Sequence, residues 1–134
     1  MEQDQALLED SIKKKRILLI EDDAFIAQLY GLKFKQTPYE FILAKDGDEG
    51  ISLAKEDKPD LILLDIILPK NNGFTILENL KKDESTKNIP VILLTNLGQQ
   101  ENIQKGMTLG AVDYIIKAHH TPQEVVEKVR PFLK

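Results

Sequence analysis

The sequence predicts an α/β fold in which helices cover one parallel β-sheet. Short aliphatic runs alternate with longer amphipathic stretches along the chain. Each run is continuously hydrophobic rather than alternating, which is typical of a strand buried on both faces. Alternation of strand and helix throughout a chain favours a parallel sheet. The strands are predicted at 16–20 (RILLI), 40–44 (EFILA), 61–65 (LILLD), 91–95 (VILLT) and 112–116 (VDYII).

The stretches after these runs carry apolar residues at helical spacing, which predicts five helices. Two helix ends have recognisable signals. Thr121 and Glu124, with Pro122 between them, form a capping-box pattern at the start of the last helix. Gly110 is placed to end the fourth helix in a left-handed conformation. The apolar sets are Phe25, Leu29 and Leu32; Ile51 and Ala54; Ile76, Leu77 and Leu80; Ile103 and Met107; and Val125, Val126, Val129, Phe132 and Leu133.

The composition is that of a single globular domain. The chain has 134 residues, of which 42% are hydrophobic and 30% charged, and its net charge of −4 gives no indication of a nucleic-acid or membrane surface. The absence of cysteine excludes disulfides, zinc–thiolate sites and thiol catalysis, and fits a reducing compartment. No apolar run approaches the length of a membrane span, and the N-terminus lacks a signal-peptide core. We therefore expect a cytoplasmic location.

Residues 1–14 precede the strand–helix pattern. Leu8 and Ile12 lie four residues apart, so this segment is predicted to be either a tail or a short extra helix. Residues 15–134 show no linker and are predicted to form one domain. The basic run KKKR at 13–16 is interpreted as a solvated lead-in to the first strand rather than a nucleic-acid contact.

Chemically reactive side chains fall where the predicted strands end. Glu21 and Asp22 follow the first strand, Asp65 ends the third, Thr95 ends the fourth and Lys117 follows the fifth. Ligands of parallel α/β sheets bind beyond the carboxyl ends of the strands. This position accounts for the carboxylate within the aliphatic stretch LILLDIILPK, because Asp65 would face the crevice rather than the core.

Clustered carboxylates at this edge need positive partners. Two carboxylates about 4–5 Å apart repel by a few kcal/mol at an effective dielectric constant near 20. Lys117 supplies one positive charge, and Mg²⁺, which prefers oxygen ligands and retained waters, would supply the rest. Neither GxGxxG nor GxxxxGK[ST] occurs in the chain, so no glycine-rich phosphate loop is predicted. The pattern indicates a metal-assisted phosphoryl site with a carboxylate nucleophile.

Four segments resemble the receiver domain of two-component response regulators. They are RILLIEDDAFIAQLY, DLILLDIILPKNNGFTILENLK, IPVILLTN and GAVDYIIKA, and the similarity extends over roughly residues 15–133. Pro69 and Gly73, four and eight residues after Asp65, also match the family. The resemblance implies a flavodoxin-like, doubly wound, five-stranded parallel sheet of order 2-1-3-4-5, with five helices in three α/β/α layers.

The resemblance also implies a metal site and a phosphoacceptor. Asp65 corresponds to the aspartate that accepts the phosphoryl group. Glu21 and Asp22 correspond to the acidic pair, and together with Asp65 and the backbone carbonyl of Ile67 they would hold Mg²⁺, for which Mn²⁺ could substitute. Asp22 would contact the metal directly and Glu21 through water. Asp23 is then an additional acid that is placed to cap the first helix.

The remaining matched residues correspond to the phosphoryl-binding and switch positions of the family. Thr95 and Lys117 would bind the phosphoryl group, and Tyr114 would turn inward when Thr95 moves towards it. The surface formed by the fourth helix, fifth strand and fifth helix would then change. The family also implies partners: a sensor histidine kinase or histidine phosphotransfer protein as donor, and a downstream protein target.

The expected protein is a stand-alone, chemotaxis-type regulator rather than an enzyme. It would catalyse only its own phosphorylation and slow dephosphorylation, and signal by protein contact or by phosphorelay. We expect no output domain after Lys117, and the net charge of −4 leads us to expect neither nucleic acid nor a membrane as a partner. The expected state is a monomer or a weak phosphorylation-dependent dimer.

Two positions depart from the family. Proline usually follows the lysine, often after a cis bond, whereas this chain has Ala118. A cis bond before alanine costs about 3 kcal/mol, so a trans bond or an adjusted loop is expected. The residue after the threonine is usually small, and Asn96 is expected to narrow access to the phosphoryl site. Ile67 and Leu97, which flank the route of the attacking water in the family, are apolar and predict slow hydrolysis.

Other interpretations remain open at the level of sequence. Taken singly, the acidic pair could only cap a helix, Thr95 and Tyr114 could be ordinary sheet residues, and Lys117 could be a surface charge. A phosphatase with an aspartyl-phosphate intermediate would need an acid or base at position 67, where this chain has Ile67. A degenerate receiver acting as a scaffold would have lost at least one of the site residues. The adjacent His119 and His120 are interpreted as solvated rather than metal-binding.

Overall fold

The computed structural model describes residues 14–134 and contains the predicted parallel sheet. The strands are β1 (Arg16–Ile20), β2 (Glu40–Ala44), β3 (Leu61–Leu64), β4 (Val91–Thr95) and β5 (Asp113–Ile116). Their order is β2-β1-β3-β4-β5 and all neighbouring pairs are parallel. This confirms the order 2-1-3-4-5. The prediction of a tail or extra helix before the domain concerns residues that, apart from Lys14, lie outside the described part of the chain.

The five predicted helices are present. They are α1 (Ala24–Phe34), α2 (Gly47–Asp57), α3 (Gly73–Lys82), α4 (Gln100–Thr108) and α5 (Pro122–Val129), with short 3₁₀ turns at Lys117–His119 and Arg130–Leu133. Side chains of α1 and α5 pack on one face of the sheet. Side chains of α2 and α3 pack on the other, where Gly106 of α4 also meets the sheet. The result is the predicted α/β/α arrangement. Within residues 14–134, no helix is both long enough and apolar enough to cross a membrane.

The continuous hydrophobicity of the strands follows from burial on both faces. In β1, Ile17 and Leu19 pack with α1 and α5, whereas Leu18 and Ile20 pack with the opposite layer. All four side chains are fully buried. Because successive side chains of a strand point to opposite faces, a strand between two helical layers has no polar face to present.

Helix α1 buries a different face from the one marked by its large apolar residues. Phe25, Leu29 and Leu32 are 69%, 39% and 52% exposed. The buried set has the same helical spacing and consists of Ala27, Tyr30, Gly31 and Phe34. Periodicity therefore predicts this helix correctly, but it does not select between two apolar faces. We name Phe25, Leu29 and Leu32 the α1 stripe.

The predicted helix ends are confirmed. The Thr121 side chain accepts from the backbone N–H of Glu124, and the Glu124 side chain accepts from the backbone N–H of Thr121, which completes the capping box. Gly110 follows Leu109, the C-cap residue of α4, and has φ of 110°, in the left-handed region that favours glycine. Asp23 caps α1 by accepting from the N–H groups of Phe25 and Ile26.

Candidate functional site

The carboxyl ends of β1, β3 and β5 bring four charged side chains together. Carboxylate oxygens of Glu21, Asp22 and Asp65 lie within 4.8 Å of one another. The ammonium Nζ of Lys117 lies 2.6 Å from Oε2 of Glu21 and 2.9 Å from Oδ2 of Asp65. The structure thus assembles the acidic residues and the lysine that the sequence placed at separate strand ends. The roles assigned to these residues remain predictions.

The sheet itself positions the two buried carboxylates. The N–H of Glu21 donates to the carbonyl of Ala44 (3.0 Å), and the N–H of Asp65 donates to the carbonyl of Ile20 (3.1 Å). The parallel hydrogen-bond pattern therefore continues one residue beyond β1 and β3. Both acidic side chains leave the backbone at points that the sheet fixes.

The carboxylate oxygens that do not contact Lys117 accept hydrogen bonds from neighbouring backbone amides. The N–H of Ile67 donates to Oδ1 of Asp65 (3.2 Å), and the N–H of Asp23 donates to Oε1 of Glu21 (3.2 Å). Asp65 is consequently held at both oxygens, by Lys117 on one side and by the loop after β3 on the other. These contacts fix the orientation of the Asp65 carboxylate.

The charge and donor set of the site fit a hard divalent cation. Glu21 and Asp65 are buried, with exposures of 2% and 6%, whereas Asp22 is exposed. Three carboxylates therefore meet one ammonium, which leaves excess negative charge in a partly desolvated pocket. Mg²⁺ and Mn²⁺ prefer such carboxylate oxygens, and Mg²⁺ keeps several waters when it binds, which the exposed side of Asp22 can admit.

Burial and pairing shift two ionisation equilibria in the site. Burial raises the pKa of Glu21, and the hydrogen bond from Lys117 offsets this only in part. For Lys117, burial by itself lowers the pKa, but hydrogen bonds to Glu21 and Asp65 outweigh it, so the pKa is raised overall. Lys117 therefore stays an ammonium at neutral pH and can neutralise negative charge on a ligand.

Steric contact with the backbone of Asp65 explains why glycine occupies position 73, eight residues after that aspartate. It is the first residue of α3, and its N–H donates to the carbonyl of Ile66 (2.7 Å). A Cβ at this position would overlap the carbonyl oxygen of Asp65 and the Cα of Ile66. Only glycine lets the start of α3 approach the backbone that carries the central carboxylate.

Thr95 and Tyr114 are joined through the backbone of Leu97. Thr95 is fully buried, and its hydroxyl accepts from the N–H of Leu97 at 3.4 Å. The hydroxyl of the half-buried Tyr114 donates to the carbonyl of Leu97. Burial, and next the negative charge of Asp65, raise the pKa of Tyr114. Sequence patterns do not reveal Leu97 as the connection, because any residue offers these backbone atoms.

The two departures from the family pattern contact each other. The N–H of Ala118 donates to Oδ1 of Asn96 at 2.9 Å. Asn96 is exposed, and this bond directs its carboxamide oxygen to the loop after β5. No peptide bond among residues 14–134 is cis, so the Lys117–Ala118 bond is trans, as expected.

Comparison with known families identifies the chain. Residues 17–130 match the family described as the response regulator receiver domain. The chain belongs to this family. Receivers are the phosphorylation-activated signalling domains of two-component systems, rather than classical enzymes, and they typically bind Mg²⁺ at an acidic pocket.

Sequence relatives and solved structures agree with this assignment. The receiver is 41% identical over 119 residues to the DNA-binding dual master transcriptional regulator RpaA of a Synechocystis species, covering 89% of this chain and 49% of RpaA. A CheY-like receiver domain protein from Methanospirillum hungatei superposes with a TM-score of 0.83 at 29% identity, covering 90% of this chain and 94% of that one. The phosphorylated cyanobacterial phytochrome response regulator RcpA gives a TM-score of 0.78 at 29% identity, with coverages of 90% and 94%. The chain spans about half the length of the curated relatives it matches.

Proposed function

We propose that this receiver accepts a phosphoryl group on Asp65 from a phosphohistidine of a sensor kinase or a phosphotransfer protein. The observation that carries this proposal is the position of Asp65. It is a buried carboxylate oriented by Lys117 and by the Ile67 amide, and it lies beside two further acids that can share a cation. Asp65 lies at the edge of the sheet where ligands of this fold class bind.

In the transfer step, a carboxylate oxygen of Asp65 attacks phosphorus in line with the bond to the donor histidine. The new O–P bond forms as the P–N bond breaks, and the imidazole leaves with the electron pair. Lys117 neutralises charge on the phosphoryl oxygens. Mg²⁺ held by Glu21, Asp22, Asp65 and the carbonyl of Ile67 would supply further charge neutralisation.

The contact chain through Leu97 supports a switch that follows phosphorylation. When the Thr95 hydroxyl turns to bind the phosphoryl group, it releases the long bond from the N–H of Leu97. The loop then moves, and with it the carbonyl that anchors Tyr114. Because Tyr114 belongs to β5, the change reaches the surface formed by α4, β5 and α5.

The α1 stripe is the surface we propose for contact with the donor protein. Helix α1 begins two residues after Asp22, so Phe25, the first residue of the stripe, lies close in the chain to the acidic pair. Three large apolar side chains exposed on one helix face form a patch suited to a protein partner. A signal passed by protein contact or by phosphorelay fits this receiver, whereas DNA binding is a property of its relative RpaA.

Incubation with Mg²⁺ and acetyl phosphate, followed by intact-mass and free-phosphate measurements, tests the proposal. A receiver gains the mass of one phosphoryl group and keeps it after the donor is removed. A phosphatase releases phosphate continuously and accumulates little adduct. A scaffold that has lost the chemistry shows neither signal, and either of these two results would contradict the proposed function.

A further inference from the structure

Asn96 makes a contact that none of the roles described above uses. Its Oδ1 accepts the N–H of Ala118, the residue directly after Lys117. We propose that Asn96 is a positioning residue for phosphoryl transfer: it fixes the backbone at Ala118 and thereby the path along which Lys117 reaches Glu21 and Asp65. The inference rests on the proposed function of the site.

The register of the sheet explains why an anchor is needed at this point. The pairing of β4 with β5 ends at Thr95 opposite Ile116. Asn96 and Lys117 are therefore the first residues beyond the paired strands. The Asn96 side chain reaches residue 118 and accepts its N–H, so it replaces the next backbone hydrogen bond between β4 and β5. The 3₁₀ turn that begins at Lys117 starts from an anchored backbone.

The lysine depends on that backbone because its side chain is long and its targets are fixed. Its ammonium must stay within 2.6 Å of Glu21 and 2.9 Å of Asp65, both of which the sheet holds in place. A long flexible side chain loses rotamer entropy when it is held in this way. A shift of the backbone at 117–118 would misplace the ammonium, and small misplacements in a reacting site are costly.

The two departures from the family pattern act as one unit in this chain. Alanine provides an N–H that proline lacks, and asparagine provides an acceptor that a small residue lacks. Proline at position 118 would place its ring carbon Cδ against Oδ1 of Asn96. Each substitution is consequently expected to be harmful alone, whereas the pair restores the arrangement usual in the family.

Four variants test this dependence: Asn96→Ala, Asn96→Asp, Ala118→Pro and the double variant Asn96→Ala with Ala118→Pro. The control is Gln99→Ala. This variant removes a carboxamide side chain from the same loop, but one that makes no hydrogen bond to cap the following helix. The measurements are the initial rate of phosphorylation by acetyl phosphate and the NMR signal of the Lys117 ammonium. Magnesium binding is measured in parallel to show that the acidic cluster of Glu21, Asp22 and Asp65 is still assembled.

Because Asn96→Ala loses one anchoring hydrogen bond, its initial rate of phosphorylation should fall by about 3- to 10-fold. Its Lys117 ammonium signal should broaden, while magnesium binding is retained and the Gln99→Ala control keeps the parental rate and signal. Asn96→Asp keeps an acceptor oxygen and should retain the ammonium signal. Phosphorylation of Ala118→Pro should be slower than that of Asn96→Ala, and phosphorylation of the double variant should be faster than that of Ala118→Pro.

A parental rate and a parental ammonium signal in Asn96→Ala would overturn the proposal. So would equal slowing by Ala118→Pro in the presence and absence of the Asn96 side chain, because the two positions would then act independently. If the parent protein itself takes up no phosphoryl group, the proposed function fails rather than this inference. The ammonium signal still reports on the anchor in that case.

Discussion

Lys117 and Asp65 are joined by a hydrogen bond of 2.9 Å between Nζ and Oδ2, although 52 residues separate them in the chain. They follow β5 and β3, which are not neighbours, because β4 lies between them in the sheet. The lysine side chain therefore crosses the end of β4, where Thr95 is buried. This crossing places the acceptor, the cation and the hydroxyl side by side.

Replacing Lys117 should destabilise the protein when no metal is bound. Lys117→Met leaves Glu21 and Asp65 buried without their partner, and loss of one member of a buried pair costs about 3–5 kcal/mol. The free energy of unfolding, measured with urea in EDTA, should fall by an amount of that order, and Mg²⁺ should restore part of it. Lys87→Ala breaks the exposed pair with Glu84 and should change the value by at most about 1 kcal/mol. Equal effects of the two variants would contradict the central position of Lys117.

Asp22 and Asp23 should separate metal binding from helix capping. Asp22→Ala removes an exposed carboxylate from the acidic cluster and should weaken magnesium binding and abolish magnesium-dependent phosphorylation. Asp23→Ala removes the cap of α1 and should lower stability by about 1 kcal/mol while magnesium affinity is unchanged. Magnesium titration followed by NMR measures the affinity of both variants, and urea unfolding measures their stability. Full phosphorylation of the parent protein in EDTA would exclude the metal site.

The hydroxyl of Tyr114 should carry part of the response to phosphorylation. Tyr114→Phe keeps the ring but removes the bond to the carbonyl of Leu97. In the parent protein, phosphorylation should shift amide signals across residues 96–117 and in α5. In the variant, the shifts around Asp65 should remain while those in β5 and α5 shrink. Shifts confined to the neighbourhood of Asp65 in the parent would instead indicate a phosphate carrier without a switch.

The aspartyl phosphate should hydrolyse slowly. The apolar side chains of Ile67, which is 59% exposed, and of the partly buried Leu97 can neither orient nor deprotonate a water. The double variant Ile67→Asn with Leu97→Glu should therefore lose the phosphoryl group faster than the parent once the donor is removed. Intact mass recorded over time gives both rates. An unchanged lifetime would show that these two positions do not control the approach of water.

Much of this fold follows from local patterns, and the exceptions have physical causes. The strand runs are predicted within one residue because helices cover both faces of the sheet, so that even the partly buried edge strands β2 and β5 are mostly apolar. The buried face of α1 is not predictable from periodicity, since Leu29 and Tyr30 belong to two equally regular apolar sets. Which set meets the sheet depends on tertiary packing.

The site shows the same limit. Strand ends placed Glu21, Asp65 and Lys117 at one edge, but the hydrogen bonds that orient them involve backbone atoms of the loops. The sequence marked Asn96 and Ala118 as separate departures from the family. Their contact became visible only in three dimensions, because it depends on where the pairing of β4 and β5 ends.

The most direct test of the account is the location of the phosphoryl group. Asp60 and Asp65 precede and follow β3, at opposite ends of the same strand, so they form a matched pair. With Mg²⁺ and acetyl phosphate, intact mass should show one added phosphoryl group on the parent and on Asp60→Asn, and none on Asp65→Asn. A phosphoryl group retained on Asp65→Asn would contradict the assignment of Asp65 as the acceptor.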